Sequence, residues 1–289
     1  MHSTHILGWG IFVGVIVVLS LMAAGVMQHP ASAQGSGDGL LLKDVALLAL
    51  YASSGILVSM QRSASMITAA IVGAQVGVFV GAVGVANHLI EAFVPVRPFF
   101  LIIGPVFLTF ALLGTAGAAG WERTGSLLPA VIAGAYCAIV GTLMTLCFAI
   151  SFNLLFAPRV DWQLREAFAA SGMIDREASR VRNILEASSE ILVRMPVLGI
   201  CLASAGAVIQ AWMARECRRR LVQIVSLLAP IVFAVGTTAL WHADAIERAL
   251  RPPFVISGVL LTAAALCVAY PAWSNFHGST RRSKGTGNS

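Results

Sequence analysis

Eight stretches of the chain, 6–28, 40–60, 66–90, 99–120, 127–157, 195–214, 221–241 and 254–273, are runs of apolar residues. Each is long enough to cross the roughly 30 Å hydrocarbon layer of a bilayer as a helix. The charges inside these runs are Lys43 and Asp44, near the start of the second, so no ionised group lies deep in any of them. Backbone groups surrounded by lipid need internal partners, which makes each run a helix rather than an open strand. Pro129 and Pro196 fall where helices are expected to start and a missing N–H is harmless. Pro105 and Pro230 fall inside runs and predict kinks. The fifth run is overlong and predicts a tilted or protruding helix.

The longest polar stretch between runs is 158–194. Asp175 is placed to cap a helix, after which Val181, Ile184, Leu185, Ile191 and Leu192 share one helical arc. Arg176, Arg180, Arg182, Glu186, Glu190 and Arg194 fill the opposite arc, with Glu190 and Arg194 in the favourable i,i+4 order. This pattern predicts an amphipathic helix that lies on the membrane surface or caps the bundle. The expected architecture is an all-α integral membrane protein. One domain, residues 1–289, holds about eight transmembrane helices, with the amphipathic insert 158–194 between the fifth and sixth and a basic flexible tail at 274–289.

Composition removes the main alternative. Of 289 residues, 58% are apolar and 11% charged, against about 25% charged in an ordinary soluble domain. Such a chain has too little charged surface to face water. The net charge of +6 comes from scattered clusters such as Arg218-Arg219-Arg220. These suit an anionic lipid leaflet, and no basic domain with interleaved aromatics points to nucleic acid. The six Arg of 158–194 are balanced by six acidic residues. With that segment set aside, nine basic residues fall on the side of the N-terminus and four on the other. The positive-inside rule then places both termini in the cytoplasm of a bacterial-type inner membrane. Ala31-Ser32-Ala33 has the form of a signal-peptidase site. The first five residues carry no Lys or Arg, however, and the run exceeds a signal peptide's apolar region, so a retained anchor is expected.

Small residues recur at helical spacing. Gly73, Gly77, Gly81 and Gly84 form one stripe in the third run, continued by His88 and Glu91. Ala138, Gly141, Thr142, Thr145, Ala149 and Asn153 line the fifth run, and Gly199, Ala203, Gly206 and Gln210 the sixth. A further stripe in the seventh includes Gln223, Ser226 and Thr237. Glycine lets another backbone approach closely, so these stripes are expected to pack helices, within the chain or between copies.

Candidate chemistry is sparse. There is no phosphate-binding Walker motif, no His-Glu-x-x-His and no Gly-x-Ser-x-Gly elbow. The stretch 35–39 reads as a flexible loop. His88, Glu91, His242 and Asp244 gather at outer helix ends in this topology, near His29. Their types suit Zn²⁺, Mn²⁺ or axial haem ligation. Their spacing specifies no metal, and the expectation is that the chain carries no metal and no cofactor. Cys137, Cys147, Cys201, Cys217 and Cys267 contain no Cys-x-x-Cys and read as small apolar residues. Cys201, with His242 at the outer end of the next run, is the one arrangement with a nucleophile's ingredients. From Cys201 to Gly206, with His242 after it, the Cys-before-His order resembles that of exosortase-type membrane transpeptidases, which would imply acyl transfer. The Cys-Ser-Gly of that family is absent and the following run carries no Arg, so no role is carried over. The expected function is that of a non-enzymatic membrane component or complex subunit acting through helix packing. Its partners are then the bilayer and either other membrane subunits or a second copy. The alternative is a permease or channel for a small neutral or apolar solute.

Overall fold

The computed structural model describes residues 2–33, 37–93, 99–156, 168–169 and 171–212. The expected runs at 221–241 and 254–273, the tail at 274–289, and with them His242, Asp244, Cys217 and Cys267, lie outside the described residues. Among those described, six helices are long and apolar enough to cross a membrane. They are α1 (His2–Gln28), α2 (Gly37–Met60), α3 (Ala64–Phe93), α4 (Phe99–Thr124), α5 (Leu127–Leu155) and α6 (Arg176–Trp212), with a short 3-10 turn, Pro30–Ala33, after α1. Gly37 to Gly39, expected in a flexible loop, open α2 instead.

Successive helices run antiparallel, and the connections α2–α3 and α4–α5 are tight. Gly125 takes a positive φ of 65° after α4, and its N–H donates to the Trp121 carbonyl at 2.7 Å. That is the left-handed stop in which glycine carries no Cβ penalty. The near end of the bundle then holds the start of α1 and the α2–α3 and α4–α5 connections. The far end holds Gln28, Gly37, Phe93, Phe99, Leu155 and Arg176.

The central helix is α5. One core joins Ile139, Leu143, Leu146 and Ile150 of α5 to Ile11, Val15, Val18 and Met22 of α1, Leu48 and Tyr51 of α2, and Leu185 and Leu192 of α6. A second joins Cys137 and Ala138 of α5 to Val80 and Val83 of α3 and Leu112, Leu113 and Ala116 of α4. Where backbones meet, glycines make the room. A Cβ on Gly77 would sit 2.6 Å from the Cys137 carbonyl oxygen, and one on Gly199 would sit 2.6 Å from that of Gly134. Gly73 faces the Ala133 backbone, Gly81 Met144, Gly84 Thr145, and Gly206 the Gly114 backbone. The Gly73–Gly84 stripe is thus turned onto α5 of the same chain. A further contact of this kind, Gly8 of α1 against Gly55 of α2, joins residues on no stripe read from the sequence.

The largest departure from the sequence pattern is α6. The pattern separates an amphipathic helix from the sixth run and puts Pro196 at a helix start, whereas the structure joins them into one 37-residue helix with Pro196 inside. Asp175 does cap it: its Oδ1 accepts from Glu177 N–H at 2.9 Å and Ala178 N–H at 3.2 Å. Glu190 and Arg194 pair at 3.1 Å and Arg182 and Glu186 at 3.2 Å. Val181, Leu185 and Leu192 are buried, while Ile184 and Ile191 pack on the same core. The apolar arc therefore rests on neighbouring helices rather than flat on a lipid surface. Arg180, on the arc assigned to solvent, is only 5% exposed and is held by Glu177.

The close approaches give a sharp contrast. Gly77→Leu or Gly199→Leu should lower stability by more than about 3 kcal/mol, because an extra side chain meets backbone that cannot yield. Gly10→Leu, where nothing lies within 4 Å of the added Cβ, should be neutral. Thermal unfolding of the three variants in detergent checks this.

Candidate functional site

Buried polar side chains join two helices at the seam between α2 and α6. On α2 the buried positions Asp44, Leu48, Tyr51, Gly55 and Val58 repeat every three or four residues, so they share one face. Asp44 occupies a place on that face where an apolar residue would ordinarily sit. It lies five residues beyond the start of the apolar segment Gly39–Met60, or about 7.5 Å at 1.5 Å per residue. Its side chain is wholly buried, and its Oδ1 accepts a hydrogen bond from the Ser189 hydroxyl of α6 at 2.5 Å. The second carboxyl oxygen, Oδ2, is buried without a hydrogen-bond partner. Ser188 is buried beside Ser189, and Ser32 of the 3-10 turn is buried at the same end of the bundle.

One turn further along α6, the seam repairs a defect. Pro196 has no N–H, so the carbonyl of Leu192 loses the helical partner it would otherwise have. The Tyr51 hydroxyl donates to that carbonyl at 3.0 Å. A proline that would weaken an isolated helix is thereby accommodated, and α6 continues unbroken. Tyr136 of α5 likewise donates to the Ser54 carbonyl at 2.8 Å, tying α5 to α2.

His88 and Glu91 lie at the far end of α3. The Asn153 amide donates to the Ala149 carbonyl at 2.8 Å, which fixes its orientation and leaves its N–H also facing His88 Nε2 at 3.2 Å. His88 Nε2 therefore accepts, and the lone pair a metal would use is engaged. The ring lies edge-on to Phe148 and Phe152, with centroids 6.1 and 5.6 Å away. His242 and Asp244, the other two members of the expected cluster, lie outside the described residues. Among the described residues no three His, Cys, Asp or Glu side chains gather as a metal site. Cys201 is exposed on α6 and Cys137 is buried on α5, and the His242 that would activate Cys201 is again outside the described residues.

Sequence reasoning missed the Asp44–Ser189 and Tyr51–Leu192 links. Two signals were present: a lone acid on an apolar helix face, and a proline whose i−4 carbonyl needs a donor. The chain matches no protein-family model, no curated protein and no solved structure.

The role of Tyr51 is separable. Tyr51→Phe should destabilise by about 1–3 kcal/mol, the cost of a buried carbonyl left unpaired. In a Pro196→Ala background the restored N–H satisfies Leu192, and the same change should cost less than about 1 kcal/mol. A double-mutant cycle on unfolding midpoints measures the difference.

Proposed function

We propose that this protein is a non-enzymatic, eight-span component of a bacterial-type inner membrane that works through helix packing, with both termini in the cytoplasm. The observation that carries the reading is where the polar side chains are engaged. Asp44 with Ser189, Tyr51 with the Leu192 carbonyl, Tyr136 with the Ser54 carbonyl and Asn153 with His88 each tie one helix to another. Other hydroxyls donate within their own helices, as Thr115 does to Ala111 and Ser204 to Ile200. This is the usual arrangement where lipid supplies no partner.

The placement in the membrane is supported at the near end. Trp9, Trp121 and Trp212 fall there, with Trp9 and Trp212 largely exposed, as in an interfacial aromatic belt. Arg62 and Arg123 lie at the same end, consistent with a cytoplasmic face. The apolar runs at 221–241 and 254–273 supply the seventh and eighth spans of the proposal. Since the Gly73–Gly84 stripe is turned onto α5, a partner subunit or second copy would meet other, lipid-facing helix surfaces.

Purification from native membranes in mild detergent tests this reading. It should yield a stoichiometric partner or a defined oligomer, and proteoliposomes should pass small neutral solutes no faster than protein-free vesicles. Solute flux that rises in proportion to protein content would instead establish the permease alternative.

A further inference from the structure

Asp44 has a feature that helix packing does not use. It is the one wholly buried carboxyl group among the described residues, and its Oδ2 faces neither solvent nor a hydrogen-bond donor. A carboxylate in apolar surroundings needs a compensating positive charge. Among the described residues, the elements packed against α2 do not supply one, and α5 carries no Asp, Glu, Lys, Arg or His. Residues 2–33, covering α1 and the 3-10 turn, contain no Asp, Glu, Lys or Arg, and their ionisable side chains are His2 and His5 at the near end and His29 at the far end. On α6, Glu186 and Glu190 flank Ser189 but are exposed and paired with Arg182 and Arg194, while Arg180 is paired with Glu177. On α2 itself, the exposed ammonium of Lys43 acts on Asp44 and offsets its burial only in part, Asp38 lies near the helix start, and the Tyr51 hydroxyl is engaged with Leu192.

The geometry also distinguishes among possible ligands. A divalent ion would leave this single carboxylate overcompensated. Oxygens that share a hard cation lie about 2.3–2.6 Å from it and about 3 Å or more from each other. Ser189 Oγ and Asp44 Oδ1 are 2.5 Å apart, a separation that belongs to a hydrogen bond. We propose that Asp44 is a proton-exchange site, binding and releasing one proton at Oδ2 from the aqueous phase at the far end of the bundle. Uptake forms one O–H bond with a proton delivered by hydronium and breaks no bond within the protein; release returns the proton to water. Ser189 donates to Oδ1 in both states, so the link between α2 and α6 persists while its charge changes. This inference does not depend on the packing function proposed above.

The test is a pH titration of the full-length protein in lipid nanodiscs, followed by infrared difference spectroscopy. Acidification should raise a carboxyl C=O band that is lost in Asp44→Asn. Should that variant fail to fold, the native chain with ¹³C-aspartate and its Ser189→Ala variant serve instead. Of the five aspartates in the chain, the one bonded to Ser189 should shift in frequency when the donor is removed. The titration should be the same in sodium as in a large organic cation. The proposal is overturned by a pH-difference spectrum that loses no carboxyl band in Asp44→Asn, by aspartate bands all unmoved in Ser189→Ala, or by a midpoint that moves with sodium at fixed pH.

Discussion

Lipid offers no hydrogen bonds, and this constraint governs how the chain folds. A polar atom carried into the bilayer is costly unless it finds a partner within its own helix or across to a neighbour. The Tyr51 hydroxyl on the Leu192 carbonyl is the clearest case. Pro196 removes a bond that water would replace in a soluble protein, and here a side chain from α2 replaces it. That contact spans the break at Pro196 in α6, whose Val181, Leu185 and Leu192 are buried among neighbouring helices.

A second consequence of the bilayer is that apolar area does not itself hold helices together, since lipid tails are as apolar as leucine. Attraction has to come from close contact, and glycines provide it. Along α3 the backbone settles against Ala133, Cys137 and Thr145 of α5, and on α6 Gly199 meets Gly134. These contacts make α5 the common wall for α1, α3, α4 and α6. Polar links such as Tyr136–Ser54 and Asn153–His88 then fix the register of helices already brought together.

Much of the helical layout was legible in the sequence, because the apolar runs, the Asp175 cap and the Glu190–Arg194 pair are local features. The fate of the stretch ahead of the sixth run was not. An apolar arc of Val181, Ile184, Leu185, Ile191 and Leu192 looks the same whether it rests on headgroups or on α1, α2 and α5, and Pro196 is as compatible with a helix start as with a supported interior. Arg180 falls by its angle on the charged arc, yet it is buried, with Glu177 one turn earlier pairing with it from a position that stays partly exposed. The polar seam was illegible for a related reason. Asp44 and Ser189 are 145 positions apart, and no local pattern pairs them. His88 and Asn153 each stood on a recognised stripe, but their contact depends on how α3 lies against α5.

The continuity of α6 is the claim on which this account turns, and a distance across the helix tests it most directly. Spin labels at positions 176 and 212, in the full chain reconstituted in nanodiscs, should be about 54 Å apart if one helix runs through Pro196. A distance of about 40 Å or less would mean that the polar half turns at the proline to lie along the membrane surface, and would contradict the account.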